Sequence, residues 1–225
     1  MLESIAATWH AGLRWKRLQS YLSAISPEIQ DSLQPPISNH TINQLEQQWS
    51  CCLPNDYRRL HKFSSGQNHK RTPGLWLGLH WLTLEQHFFC QSNLDYQIIS
   101  PEQIQQPLRS EKWLVFAGNH SKTAQSSKQA SSKQPSSGAS LAIDFSPAGF
   151  GTVGQILVLF HHSKEVSLLA DSFGSFIDDF LHRLDDHQLT SDCHGQLLSR
   201  NNPEQPLIDQ LHQQLRNQHA RCSYR

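Results

Sequence analysis

The feature that most constrains this chain is a change of hydrophobic period in its second half. Residues 112–117 (KWLVFA), 139–145 (ASLAIDF), 155–160 (QILVLF) and 166–170 (VSLLA) are short apolar runs rich in β-branched and aromatic side chains, as strands are. The last run leads directly into 171–187, where Phe173, Phe176, Ile177, Phe180, Leu181 and Leu184 recur at three- and four-residue steps. That spacing puts all six on one face of a strongly amphipathic helix. Helical periods also come first. Leu2, Ile5, Trp9 and Leu13, then Leu18, Leu22 and Ile25, predict an N-terminal helix that Pro35-Pro36 closes off. Ile42, Leu45 and Trp49 form the stripe of the next helix, which Ser38 or Thr41 can cap, the pair Thr41 and Gln44 fitting a capping box. In 53–67 (LPNDYRRLHKFSSGQ), Pro54 suits a helix start, Asp56 sits in the first turn, Leu53, Tyr57, Leu60 and Phe63 share a face, and Gly66 ends the segment. The basic side chains Arg58, Arg59, His61 and Lys62 are then its solvated rim. Residues 75–82 (LWLGLHWL) read as an aromatic-rich strand, and Thr83 opens a helix through 89 with Gln86 at its capping-box position. Helices, then antiparallel-looking strands, then a helix predict an α+β fold rather than an alternating α/β one.

A chain of 225 residues suits one large domain with appendages. The expected organisation is a domain over 1–189, including the N-terminal helix, and a C-terminal extension over 190–225. In the extension Pro206 opens a short helix carrying Leu207, Leu211 and Leu215. Between the second and third strands, about 118–138 repeats SSKQ with no apolar residue larger than alanine, and is expected to be a disordered loop. The 19 basic and 19 acidic residues cancel, so no whole-chain field draws in nucleic acid or an anionic membrane. The asymmetry is local: 141–192 holds eight acidic residues against Lys164 and Arg183. No run of about 18 apolar residues is present to span a membrane. The N-terminus has helical spacing rather than a leader's continuous apolar core. Five cysteines without regular spacing predict a reduced, cytoplasmic chain.

Four patterns invite a chemical reading. Gly149-Phe150-Gly151-Thr152-Val153-Gly154 matches G-x-G-x-x-G, but a dinucleotide site needs that loop to open a helix, and an apolar β-rich run follows here. His161 and His162 would face opposite ways in a strand, and no metal-ligand spacing occurs, so no metal site and no cofactor are expected. Cys51 or Cys52 with His61 is a conceivable thiolate–base pair, yet about 12 Å of helical rise separates them. The fourth is the aspartate-rich side of the last helix. Asp171, Asp178 and Asp185 are seven apart, and Asp179 and Asp186 follow one step round. That face suits either plain solvation or docking of a basic partner.

In order along the chain stand Ile42-x-x-Leu45-Glu46, Leu53-Pro54-x-Asp56-Tyr57-Arg58 closing at Gly66-Gln67, Leu77-Gly78 before Trp81-Leu82, and Trp113-Leu114-Val115-Phe116-Ala117. Leu141-Ala142-Ile143-Asp144-Phe145-x-Pro147, Gly151-x-x-Gly154-Gln155-Ile156 and Ala170-x-Ser172-Phe173 complete the series. Together, over roughly 9–184, they resemble the SUKH superfamily, in the branch of the fungal cell-wall-synthesis regulators and their bacterial relatives. The Ser/Lys/Gln insertion and the tail after Thr190 depart from that pattern. The resemblance implies a mainly antiparallel sheet with packed helices and a binding scaffold rather than an enzyme. It also implies a bacterial immunity protein that neutralises a cognate toxin of a polymorphic-toxin or type VI secretion system. The alternative is an intracellular scaffold or regulator of the cell-wall-synthesis type. Trp76 and Trp81 are the candidate apolar anchors for the toxin, with Asp144, Asp178, Asp179, Asp185 and Asp186 as polar contacts. Asp144 has a competing structural role, holding backbone amides of the glycine turn. Charge reversal at the four helix aspartates is expected to weaken binding without unfolding the domain.

Overall fold

The structure is a computed structural model that describes residues 2–68, 72–92, 94–99, 104, 106–118 and 138–222, with side chains from 10 to 220. Apart from its ends, the expected disordered loop lies outside the described residues. The chain runs α1 (Leu2–Ile25), α2 (Pro27–Ser32), α3 (Asn39–Trp49), α4 (Asn55–Leu60), β1 (Phe88–Phe89), β2 (Gln97–Ile98), β3 (Trp113–Gly118), β4 (Ala139–Asp144), β5 (Gln155–Phe160), β6 (Glu165–Ala170), α5 (Phe173–Asp185), β7 (Leu189–Ser191), β8 (Leu197–Ser199) and α6 (Leu207–Cys222). This is an α+β fold, as the sequence predicts.

Six strands form one sheet in the order β1-β3-β4-β5-β6-β2, and β7-β8 form a separate small hairpin. The four central strands are antiparallel neighbours; only the edge pair β2–β6 is parallel. Their burial explains why the strands read as continuous apolar runs rather than alternating ones. Every residue of β3, β4 and β5 is buried. Leu114, Phe116, Leu141, Ile143, Ile156, Val158 and Phe160 face the helices in the main core. Trp113, Val115, Ala142, Leu157, Leu159 and Val166 face a second core closed by Leu82, Ile104 and the partly buried Tyr96 and Leu108. An antiparallel sheet covered on both faces loses the polar half of its period-two signature.

Local sequence sets the helix ends. Ser38 Oγ accepts a hydrogen bond from Thr41 N at 3.1 Å and starts α3, so of the two candidates Ser38 is the cap. Ser172 does the same for α5 through Ser175 N at 3.1 Å. The segment 75–82 is not a strand. Leu77 and Gly78 both take positive φ (56° and 84°), and the chain folds back on itself through a Trp76–Leu79 bridge, so its apolar residues are buried in a tight turn. The helix expected after Thr83 is one 3-10 turn (Leu84–Gln86), with Gln86 Oε1 accepting Thr83 N at 3.0 Å before the chain extends into β1. The segment after Thr190 is integral rather than appended. Leu197 of the small hairpin and Leu207 and Leu211 of α6 join the main core.

Candidate protein-binding surface

The β4–β5 connection is the glycine-rich segment, and a buried carboxylate organises it. Asp144, at the last position of β4, is fully buried. Its Oδ1 accepts Ser146 N at 2.8 Å, its Oδ2 accepts Gln155 Nε2 at 2.9 Å, and its carbonyl accepts Gly154 N at 2.8 Å. Burial pushes this carboxyl above the usual carboxylate range, against the opposing pull of the Ser146 amide and the Gln155 and Trp113 side chains. Asp144 therefore ties the turn together from inside and is not available as a partner contact. Gly154 has φ +93°, and a Cβ there would stand 2.8 Å from Pro54 Cγ, so the turn is seated against the start of α4.

That seat leaves two apolar side chains outside. Phe150 is 89% exposed and Val153 65% exposed, on two successive hydrogen-bonded turns. Gly151 N donates to Ala148 O at 2.8 Å and Gln155 N to Thr152 O at 2.9 Å, which fixes the backbone carrying them. An aromatic ring held almost wholly in water on an ordered turn is the kind of feature that anchors protein interfaces. The sequence carries a signal for it: phenylalanine and valine standing between glycines have no periodic face along which to be buried.

The expected tryptophan anchors occupy the opposite situation. Trp76 and Trp81 are completely buried. Trp76 lies within 5.3–6.1 Å, centroid to centroid, of Phe176, Phe180, Phe173 and Trp81. Trp81 packs on Trp15 at 6.2 Å and donates Nε1–H to Tyr57 Oη at 3.2 Å. Both rings are core, so no partner reaches them while the fold is intact. His61, expected on a wet rim, is buried too, edge-on to Tyr57 at 4.8 Å and 5.3 Å from Trp81. Burial, and then the neighbouring His87, hold its pKa well below that of a free imidazole, with only a weak approach to the Ser64 backbone in compensation. His87 donates Nδ1–H to Thr83 O (2.7 Å), so its Nε2 is the acceptor for the Tyr57 hydroxyl (2.5 Å).

The aspartates of α5 divide into two pairs with different roles. Asp178 takes Arg14 of α1, through Nε at 2.6 Å and a second contact from Nη2. Asp185 takes Arg17 and the Tyr21 hydroxyl, also of α1. These two carboxylates clamp one helix to the other. Asp179 and Asp186 are exposed and take no part in that clamp, Asp186 Oδ2 accepting Gln188 Nε2 at 3.2 Å. Of the basic residues in 53–67, Arg58 is engaged by Glu46 and Asn43, and Lys62 is exposed.

The other chemical patterns resolve into packing. Burial pushes the Cys51 thiol up to about 11, away from the thiolate a nucleophile requires, and His61 offers it no hydrogen bond. His161 lies in the turn after β5 and bridges Ser140 Oγ (2.9 Å) and Tyr96 Oη (2.6 Å), while His162 packs against Gly138. No group of three potential metal ligands occurs among the described residues, and no helix among them is long and apolar enough to cross a membrane. No protein-family model matches the chain, and comparison with curated proteins finds no significant match.

Proposed function

We propose that this protein is a non-catalytic binding domain of the immunity type, which protects its producer by occluding a cognate toxin. The observation that carries the reading is Phe150, 89% exposed at the tip of a turn that Asp144, Gln155 and Pro54 hold in place. A presented aromatic on a preorganised loop loses little conformational entropy on association. The order of SUKH-like motifs supplies the finer expectation of a toxin as partner. Exposed Asp179 and Asp186 add a negative rim that favours a basic face on that partner.

The test is co-expression of the chain with toxin candidates encoded beside its gene, scoring growth and co-purification. Rescue by the wild type and its loss in a folded Phe150→Ala/Val153→Ala variant support the reading. If no candidate is rescued and none co-purifies, the immunity reading falls; if the double variant rescues as well as the wild type, the turn is not the binding site.

A further inference from the structure

A concavity lies where three helices meet. It is a cleft of about 350 Å³ between α1, α4 and the start of α5, with Ala11, Leu60, Phe173 and Ile177 as its apolar walls. Four polar residues line it: His10, Arg14, Asp56 and Arg59. Three of the charges around it are already matched. Arg14 is paired with Asp178 at the rim, and Asp56 Oδ2 accepts Gly174 N at 2.6 Å. Arg59 is different. It is half-buried in the cleft wall, and no hydrogen bond or ion pair engages its side chain among the described side chains, whereas its neighbour Arg58 is tied to Glu46. The cleft therefore combines an apolar interior with one uncommitted guanidinium.

We infer that this cleft receives an aspartate or glutamate side chain of a partner protein. The inference rests on the protein-binding reading and names the chemistry of the partner. Charge complementarity selects the occupant. A guanidinium presents a fixed fork of N–H donors that matches one carboxylate through two parallel hydrogen bonds. The Leu60, Phe173 and Ile177 walls accommodate the methylene stem of such a side chain. A phosphate dianion is a poorer fit, because Asp56 stands in the lining and Asp178 at its rim. The volume suits one side chain at the low end of the range that holds small ligands.

The cleft can be tested without the partner. The full-length protein, labelled with nitrogen-15, is titrated with N-acetyl-glutamate amide and separately with N-acetyl-glutamine amide, following the Arg59 side-chain Nε–H and the Gly174 amide. Saturable millimolar shifts with the glutamate probe, at least tenfold weaker with the glutamine probe and in Arg59→Gln, support the inference. The same spectra report whether Arg59→Gln remains folded, and Arg59→Lys should keep a reduced response. Equal shifts from both probes, or an unchanged response in Arg59→Gln, overturn it. Inorganic phosphate binding more tightly than the glutamate probe also overturns it, making the cleft a phosphate site. Failure here leaves the co-expression test untouched, and failure of co-expression leaves this titration interpretable.

Discussion

Phe150 and Trp76 are both large aromatic side chains in stretches rich in glycine and apolar residues, and they end in opposite environments. Truncating them should separate the roles. Phe150→Ala removes no packed contact, so stability should stay within about 0.5 kcal/mol of wild type in urea unfolding, while partner affinity falls at least tenfold. Trp76→Ala should instead cost ~3–5 kcal/mol, as deletion of a fully buried ring does. Equal effects of the two on stability would contradict this assignment. His61 yields a pH prediction. The fold holds it neutral beside Tyr57, Trp81 and His87, whereas in the unfolded chain it titrates near 6.5. Its contribution is therefore complete above about pH 6.5 and lost as pH falls below that, because the unfolded chain then binds the extra proton. The urea midpoint should drop between pH 7.5 and 5, and drop less in His61→Leu; the same drop in both would show that His61 is not responsible. Its charged neighbours Arg58, Arg59 and Lys62 mask its burial, yet His61 follows α4 four residues after Tyr57 and packs against Trp81.

Among the elements, α6 shows how an apparent appendage becomes part of the fold. Leu207 and Leu211 are buried in the main core, and His212 stacks on Phe160 with ring centroids 3.9 Å apart. Glu165 of β6 accepts three hydrogen bonds from Arg216, two from Nε at 3.0 Å and one from Nη2 at 2.8 Å, and another contact from His212. Burial alone would push the Glu165 carboxyl up, but the hydrogen bonds from Arg216, His212 and Ser163 outweigh it and bring it to about 2. A depressed carboxylate stabilises the fold above its ordinary value near 4.5, and that contribution is lost as pH falls through about 2. Glu165→Gln should leave the sheet intact and speed amide exchange across 207–222 at neutral pH. Unchanged exchange there would mean that the leucines alone hold the helix. The leucine spacing of α6 was legible in the sequence. Its docking was not, because Glu165 and Arg216 are far apart in the chain and neither belongs to a local pattern. The segment 75–82 failed in the other direction: LWLGLHWL has strand-like composition, but positive φ at Leu77 and Gly78 turns it back before it can pair along its length.

For the molecule as a whole, the aspartates of α5 decide between a surface patch and a clamp. Asp178→Lys/Asp185→Lys should break the contacts to Arg14, Arg17 and Tyr21 and release α1, lowering the thermal midpoint. Asp179→Lys/Asp186→Lys should leave that midpoint unchanged and weaken the salt dependence of partner binding. The quadruple reversal is therefore not a pure test of binding, since half of it acts on the fold. If the first pair leaves α1 protected from amide exchange, the clamp has no energetic role. What the amino-acid sequence determined by itself was the α+β class, the four central strands, the amphipathic α5 and the failure of the glycine segment to open a helix. All of these depend on periodicity or on residues adjacent in the chain. Only the tertiary structure decided which tryptophans are core, which aspartates are paired, that Phe150 projects into solvent and that Arg59 lines a cleft. Burial and pairing are properties of what the rest of the chain brings to a residue, and two aspartates one step apart on a helix carry no local sign of which will meet an arginine.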